Sequence, residues 1–545
     1  MPEILKSSEI RSMVPTKKRT KFAFLRRKVL SSIDTLTFGT NVHLGNVGLL
    51  GKQLRPSKNR NFREEHMNTL HEGNRMDRRD FFVKGAALAG AVILPSLAAR
   101  ADPAGSTVQL AQAGGGASAR AGAAVTVKSV DRLVGTAISY AYAVKAGPWI
   151  FLNGHEAYDF EHGLAPEVEG PPGHRLSGRP PLRREADYIL QRMRRILKEF
   201  GADLGNAVRV DQYYTMGPAV SAYHLARFAE FGQFIPPSTS IIMERCFTAR
   251  TNTHTSLLAV VPGPGVTVEG IRLPNQPISA SGYFPAMVVN DLVFVAGNMA
   301  LKDGELPPHV KIPETRRWGG QTGFRRQVHT VIKERLEPSL KAAGSALEHS
   351  LKAQAYIRGV DNFPDFMDVW SQYFREIPCA VTLVPAKDYA SSEGMIEINL
   401  IALKGGSTRR KEVVRVDIPG LATYGPCVRA GDLVFASGLM AVGRDGSVPG
   451  AANAAAFDGL SLAGRAQGAM LLDYAEAVCK AVGVTSRNIV RAQYFMTDMK
   501  DFAGVAAAWS DRFGKQPHPF AAVQVPGPLP PSGATVVSDF WVYAG

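Results

Sequence analysis

The chain has 545 residues, 45% of them hydrophobic and 20% charged, which is enough apolar material for buried cores and excludes a chain too polar to fold. Its formal net charge of +15 suggests a polyanion partner until the charge is located: residues 1–100 hold 19 Lys and Arg against 8 Asp and Glu, a net of +11. Only +4 remains for residues 101–545, so the folded part carries no clustered basic footprint and nucleic acid is not an expected partner.

In chain order, the first feature is "MDRRDFFVKGAALAGAVILPSLAARA" (Met76–Ala101). Paired Arg78 and Arg79 precede a weakly apolar run from Ala86 to Leu97, and small residues close it, in the order of a twin-arginine export signal. The run is roughly a dozen residues and is interrupted by Pro95, whereas a membrane span needs about 20, so no stable membrane anchor is expected. Residues 67–101 are therefore read as a cleaved signal peptide and the mature protein as periplasmic. An export signal normally opens a chain, so Met67 or Met76 is read as the start and residues 1–66 as disordered or never made. Residues 102–128 form a Gly/Ala-rich linker. The four cysteines follow no Cys-x-x-Cys spacing and read as buried thiols.

The rest of the chain repeats itself. "LVFVAGNMA" (Leu292–Ala300) and "LVFASGLMA" (Leu433–Ala441) are almost one line, and "WIFLNGHEA" (Trp149–Ala157) is a weaker third copy. Each copy runs on into a helix that ends at Gly201, Gly344 or Gly483, where a positive φ is wanted. In the first of these helices Ile189, Leu190, Met193, Ile196, Leu197 and Phe200 make one apolar stripe, with Arg192, Arg194, Arg195 and Lys198 opposite. A strand follows in each copy, "AVRVDQYYT", "SLKAQAYIR" or "NIVRAQYFM"; in the second, Leu351, Ala353, Ala355 and Ile357 alternate with Lys352, Gln354, Tyr356 and Arg358, which predicts one buried and one wet face. A second helix, a proline and two strands close each copy. The expected boundaries are 129–268, 272–407 and 412–545. Helices kept to one side of a sheet give an α+β layering and leave the other sheet face to be buried. Three sheets meeting around a pseudo-threefold axis, sheets inward and helices outward, would bury it, through Val293, Val295, Val434, Ala436 and their neighbours.

This order of elements, the "LVFASG" turn, the helix ending in Ala-Val-Gly and the "VRAQYFMTDMKDF" run (Val490–Phe502) resemble the RidA (YjgF) family of enamine/imine deaminases. The resemblance implies a chorismate-mutase-like fold in three tandem copies: a monomer acting as an intramolecular pseudo-trimer, with unlike clefts between repeats for a small-molecule ligand. It implies no cofactor and no metal.

The family's chemistry is only partly matched. Its members open the strand after the second helix with Pro-x-Arg, the arginine clamping a substrate carboxylate. Here those positions hold Ser238, Ala380 and Pro519, so all three clamps are missing. The family glutamate of the last strand falls, in the nearest register, on Asn399, Leu257 and Phe540, with Glu397 two residues before Asn399 on the same strand face. The tyrosine that follows Gly-Pro in many members is replaced by Ala286 and Cys427. The turn glycines are Gly154, Gly297 and Gly438, followed by His155, Asn298 and Leu439. Arg245, in a predicted hairpin, is the candidate substitute for a lost clamp, although a solvated hairpin arginine is the commoner reading, as it is for Lys387. The candidate cleft residues are thus Gly154, His155, Ser238, Arg245, Gly297, Asn298, Glu397, Asn399 and Gly438, with no catalytic residue assigned. His155, Glu156, His162 and His174 match no metal-ligand spacing. A Ser–Lys mechanism like that of the three-repeat cyanuric acid hydrolases lacks its lysine in equivalent positions. Two readings stay open: a C–N bond hydrolase of deaminase type with an altered substrate, or a binding or scaffold protein that kept the fold and lost the chemistry.

Overall fold

The computed structural model describes residues 107–108 and 125–545, apart from 171–176, 275–278, 280, 313–321, 390, 420–425 and 452–461. The export-signal reading of Met76–Ala101, residues 1–66, linker residues 102–106 and 109–124 and His174 therefore lie outside the described residues, while Thr107–Val108 and Thr126–Lys128, expected as linker, are paired strand. Among those described, no helix is long and apolar enough to cross a membrane.

Three sheets carry the fold. The first runs in the order Thr126–Val130, Tyr140–Ala146, Trp149–His155, Thr253–Val260, Ala207–Tyr214, Ser238–Ile242. The second repeats that order with Ala286–Val289, Leu292–Met299, Ile396–Leu403, Ser350–Arg358 and Ala380–Ala386, extended by Val268–Ile271 and Thr107–Val108. The third repeats it with Cys427–Ala430, Leu433–Phe435, Val536–Tyr543, Ile489–Met496 and Phe520–Gln524. Its edges are Lys411–Val414 and the short strand Arg245–Cys246, and Leu439–Met440 adds to Val536–Tyr543. In each sheet the last two strands of the core order are parallel, so a crossover is required; the helices Gly217–Phe231, Phe363–Phe374 and Phe502–Phe513 supply it. The helices Pro181–Glu199 and Leu462–Ala481, and the helical run from Gly323 to Ala342 with a π-helical stretch at Val331–Leu336, lie beside these crossovers. Gly201, Gly344 and Gly483 end them with φ of 76°, 71° and 77°, as the sequence requires.

Each sheet buries one face against its own helices, and the opposite faces share a core. Phe151, Val208 and Leu258 of the first sheet meet Leu292, Phe294 and Ile401 of the second and Leu433, Phe435 and Trp541 of the third in one apolar cluster. Each such Leu or Phe contributes about 1.5–3 kcal/mol by leaving water. This corrects the expected contact residues. Val293 and Val295 pack on the helix side with Val328 and Leu336, and Val434 and Ala436 on theirs with Leu471 and Val478. These strands are apolar on both faces, so a period of two could not say which face turned which way.

The wet face expected for Ser350–Arg358 is also corrected, because Lys352, Gln354 and Tyr356 are all buried. Their partners lie in the other sheets. Arg209 donates to Gln354 (2.6 Å), Gln354 to Gln493 (2.8 Å), and Gln493 to the Tyr213 hydroxyl (3.0 Å), closing a circuit through all three sheets. Lys352 Nζ lies 3.1 Å from Asp539 and donates to Thr382 and Ala436, while Arg491 donates to Asp211. Buried polar groups are tolerable when paired in this way. The strand register at this layer aligns Arg209, Asp211 and Tyr213 with Lys352, Gln354 and Tyr356, and with Arg491, Gln493 and Phe495. All four cysteines are buried free thiols.

Candidate functional site

The three turn glycines share one relationship to the crossover strands. A methyl group on Gly297 would overlap the Glu397 carboxyl and come within 3.1 Å of Thr239; one on Gly438 would meet Thr382 at 3.0 Å; one on Gly154 would meet the Phe520 carbonyl at 3.1 Å and His254 at 3.2 Å. Each glycine thus faces the crossover strand of a different sheet: second to first, third to second, first to third. The three boundaries have different contents.

At Gly438 the boundary is closed. Its N–H donates to the Val381 carbonyl (2.9 Å), and Ser437 accepts from Val381 N–H (3.0 Å) and donates to the Pro426 carbonyl (2.8 Å). Ala380 is buried in the shared apolar cluster.

At Gly297 the site carries charge. Glu397, 6% exposed, accepts from Ser240 N–H at 3.3 Å. Burial, with Asp211 adding to it, pushes its carboxyl up to about 8. Glu397, rather than Asn399, reaches the boundary: Asn399 points into the polar layer, donating to Thr239 (2.9 Å) and accepting from Gln354 N–H. The expected register was off by one outside the second repeat. Asn399 opposes Gln354, as Ser256 opposes Asp211 and Asp539 opposes Gln493, whereas Leu257 and Phe540 turn toward helices. Ser238, expected at a clamp position, stands one residue further on, opposing Val210 as Val381 opposes Ala353 and Phe520 opposes Ala492; it accepts from Arg227 (3.1 Å), a fully buried arginine of Gly217–Phe231 that also donates to the Ser281 carbonyl (2.7 Å). The guanidinium beside Ser238 therefore comes from a helix, not from Arg245. Arg245 is exposed and pairs its backbone with Gln524. Asn298 folds back on the Ala296 carbonyl (2.7 Å), and Lys387 is half-exposed and paired with Glu244.

At Gly154 the boundary leaves a small pocket with room for roughly one water. Leu133, Tyr140, Gly154, Glu156, Tyr158, Phe160, Phe247, Thr248, His254 and Phe520 line it. Glu156 accepts from Phe247 N–H (2.8 Å), Thr248 N–H (2.7 Å) and the Thr251 hydroxyl (2.9 Å), and lies 2.8 Å from His254 Nδ1. With donors converging on both carboxyl oxygens, the proton of the last contact belongs to His254 Nδ1. The other ring nitrogen, Nε2, is buried and has no protein partner. Glu185, on the helix Pro181–Glu199, fixes the loop before His254 by accepting from Asn252 N–H (2.5 Å) and Thr253 N–H (2.7 Å); burial raises its carboxyl to about 7. His155 does not line the pocket: its Nε2 contacts the Tyr142 carbonyl (3.0 Å), and burial, reinforced by Arg192, drops its ring to about 3. Arg192, read from the sequence as solvated, is 8% exposed, lies 3.5 Å from the Phe160 ring centre and donates to the Tyr158 carbonyl.

Tyr140, His254, Phe247, Phe520 and Arg227 were not singled out by the sequence. Aligning the copies on Tyr213 and Tyr356 instead of on the apolar run would have placed His254 opposite Tyr213 as Glu397 stands opposite Tyr356. His162 pairs with Asp159 on the surface, and among the described residues no group of three metal-ligating side chains occurs.

Three hairpin-and-crossover sheets, each lending a turn glycine to a neighbour's strand, define an α+β protein with its candidate sites at sheet boundaries. Residues 274–404 and 415–536 each match the model of the Endoribonuclease L-PSP family, so these two segments are similar to that family. A RutC family protein of Aquifex aeolicus is 26% identical over 25% of this chain and 98% of its own length. The mitochondrial protein mmf2 of Schizosaccharomyces pombe is 27% identical over 24% and 96%. Among solved structures, yeast Mmf1 is 19% identical, covering 25% of this chain and 98% of its own at a TM-score of 0.21. The YjgF family member NMB1025 of Neisseria meningitidis is 24% identical, covering 25% and 97% at 0.19.

Proposed function

We propose that the protein is a small-molecule hydrolase of deaminase type working at one sheet boundary, the pocket beside Gly154, with His254 as general base. The observation that carries this is the His254 ring: Nδ1 anchored on Glu156, Nε2 unpartnered and buried at a pocket. In this reading His254 Nε2 takes a proton from water as the water oxygen bonds to the carbon of a C=N group. The π pair moves to nitrogen, which receives a proton. Collapse of the carbinolamine, with a second proton moving from oxygen to nitrogen, breaks the C–N bond and releases a carbonyl compound and an amine. General-base help of this kind is worth about 10²–10⁴-fold. The test is turnover of a panel of uncharged imines by the full chain and by His254→Gln: loss of at least 10²-fold in the variant with unchanged folding supports the reading, and equal rates overturn it.

A second reading, a binding protein without chemistry, is favoured at the other boundaries by the packing of Thr382 on Gly438 and of Glu397 on Gly297. The repeat boundaries 129–268, 272–407 and 412–545 are proposed with one amendment: Val268–Ile271 pairs in the second sheet, so the second copy begins at Val268. The shared core and the cyclic glycine contacts support an intramolecular pseudo-trimer, sheets inward. Periplasmic export rests on the sequence of Met76–Ala101; changing Arg78 and Arg79 together to Lys should hold precursor in the cytoplasm.

A further inference from the structure

Two buried carboxyls hold one short segment, residues 247–253, from its two ends. Glu156, just after the strand Trp149–His155, accepts from the N–H groups of Phe247 and Thr248 and from the Thr251 hydroxyl. Glu185, near the start of the helix Pro181–Glu199, uses a single oxygen, Oε1, for the N–H groups of Asn252 (2.5 Å) and Thr253 (2.7 Å). Its other oxygen, Oε2, meets only the Asn252 side chain, at 3.3 Å. Between the two grips Ala249 and Arg250 are exposed, and Phe247 and Thr248 line the pocket beside His254. That pocket holds about one water, so anything larger reaches the His254 ring only when this segment moves. The chain on either side is fixed: Arg245–Cys246 pairs with Gln524 and Val523 of the third sheet, and Thr253 opens the strand that carries His254.

We infer that residues 247–253 are a latch over His254, closed while Glu185 carries a proton and loosened when Glu185 ionises. The hydrogen bonds suit the neutral form. Oε1 acts as the carbonyl oxygen, which accepts two N–H groups, and Oε2, with its one long contact, is the place for the hydroxyl. Charge suits it too: Glu185 is 3% exposed, and the charge that acts on it is the like charge of Glu156. The Cys246 thiol, which also faces it, is kept neutral by burial. His254 is committed to Glu156, and Arg250 to Glu169 at the surface. On the helix itself Arg183 pairs with Asp187, and Arg184 donates to the carbonyls of Val168, Glu169 and Arg179. Thr215 donates to the Asn252 carbonyl (3.1 Å) and side chain (2.8 Å), contacts that carry no charge and set no pH dependence. With the segment closed, burial holds the Glu185 proton to about 7; lifted into water, the carboxyl returns toward 4.5. The closed form thus binds the proton more tightly. Closure is strongest at low pH, weakens as pH rises between these two values and levels off above about 7.

The latch rests on the reading of His254 as the base only for its effect on turnover, and its test does not use turnover. Hydrogen exchange of the full chain, read by mass spectrometry on peptides covering 247–253 and corrected for the intrinsic pH dependence of exchange, measures the opening. Protection should fall about 10- to 100-fold between pH 5 and pH 7.5 and change little from there to pH 8. In Glu185→Gln, whose amide oxygen accepts the same two N–H groups without titrating, it should stay within about threefold. Glu397→Gln should leave the fall in place, because that carboxyl lies at the Gly297 boundary. Should Glu185→Gln fail to fold, the Glu397→Gln chain decides: a fall that levels off above about pH 7 supports the latch, and a flat profile overturns it. A wild-type profile that is flat, one that rises with pH, or one that Glu185→Gln reproduces also overturns it. The expected fall, found together with equal imine turnover by wild type and His254→Gln, would leave the latch standing and overturn the catalytic role alone.

Discussion

His254 and Glu397 occupy the same place in two different sheets: His254 opposes Tyr213, Glu397 opposes Tyr356, and the two tyrosine hydroxyls touch at 2.8 Å. The corresponding residue of the third sheet, opposite Phe495, is Val537. One position thus carries a base, an acid and a hydrocarbon, and the behaviour of each boundary follows from that choice.

The acid gives the first prediction. Glu397 keeps its proton to about 8 in the folded protein, against 4.5 for an ordinary glutamate. Between these values the native state holds a proton that the unfolded chain has released, so stability falls as pH rises through the window and levels off above it. The loss is on the order of 3–5 kcal/mol. Glu397→Gln should flatten it. Urea midpoints at pH 5 and pH 8.5 check this; equal slopes in wild type and variant would sink it.

Alanine at the three turn glycines should separate the boundaries. Gly154→Ala puts a side chain at φ 58° against the Phe520 backbone carbonyl and should cost most, about 1–2 kcal/mol from the backbone alone. Gly438→Ala meets the Cα of Thr382 at 3.1 Å and should cost about 1–3 kcal/mol from overpacking. Gly297→Ala displaces the end of the Glu397 side chain and otherwise meets the Thr239 hydroxyl at 3.1 Å. It should be the mildest at low pH and should erase the pH slope just described. Thermal melts of the three variants at pH 5 and pH 8.5 rank them.

The Lys352–Asp539 pair is fully buried between two sheets. Lys352→Met strands the Asp539 carboxylate and should cost about 3–5 kcal/mol, whereas removing both charges with Asp539→Leu should recover most of it. A double-mutant cycle in urea measures the difference; a double variant no more stable than Lys352→Met contradicts the argument.

Iminopropionate, made in situ by an amino-acid oxidase, should be turned over far more slowly than by a family member with its arginine clamp. Two charge-assisted hydrogen bonds are worth roughly 3–6 kcal/mol, or about 10²- to 10⁴-fold in kcat/KM. Comparable acceleration would refute this, and Arg227→Met would then show whether the helix guanidinium beside Ser238 had taken over.

The periodicities that predicted the sheets are local, and they were legible: the crossover helices, the glycine stops and the three-fold recurrence all stand where the sequence put them. What the sequence hid is which face of a doubly apolar strand turned inward. Val293 and Phe294 are equally hydrophobic neighbours, and only the partner sheets distinguish them. The same applies to Lys352 and Gln354, whose partners Asp539 and Gln493 lie more than 130 residues away. Glu397, Gly154, Gly297, Gly438 and Ser238 were named as candidates because a family resemblance pointed to their turns and strands. His254 was not, because its carboxylate partner is 98 residues distant and no short motif joins them.

Gly154, Gly297 and Gly438 perform one role but are encoded by three separate codons. In an assembly of identical subunits any substitution is multiplied by the symmetry, so a change that ruins one cleft ruins all. Here a mutation touches a single boundary. Thr382 can seal one crevice and Glu397 fill another while the pocket beside His254 is left open. Heredity can therefore act on each crevice alone.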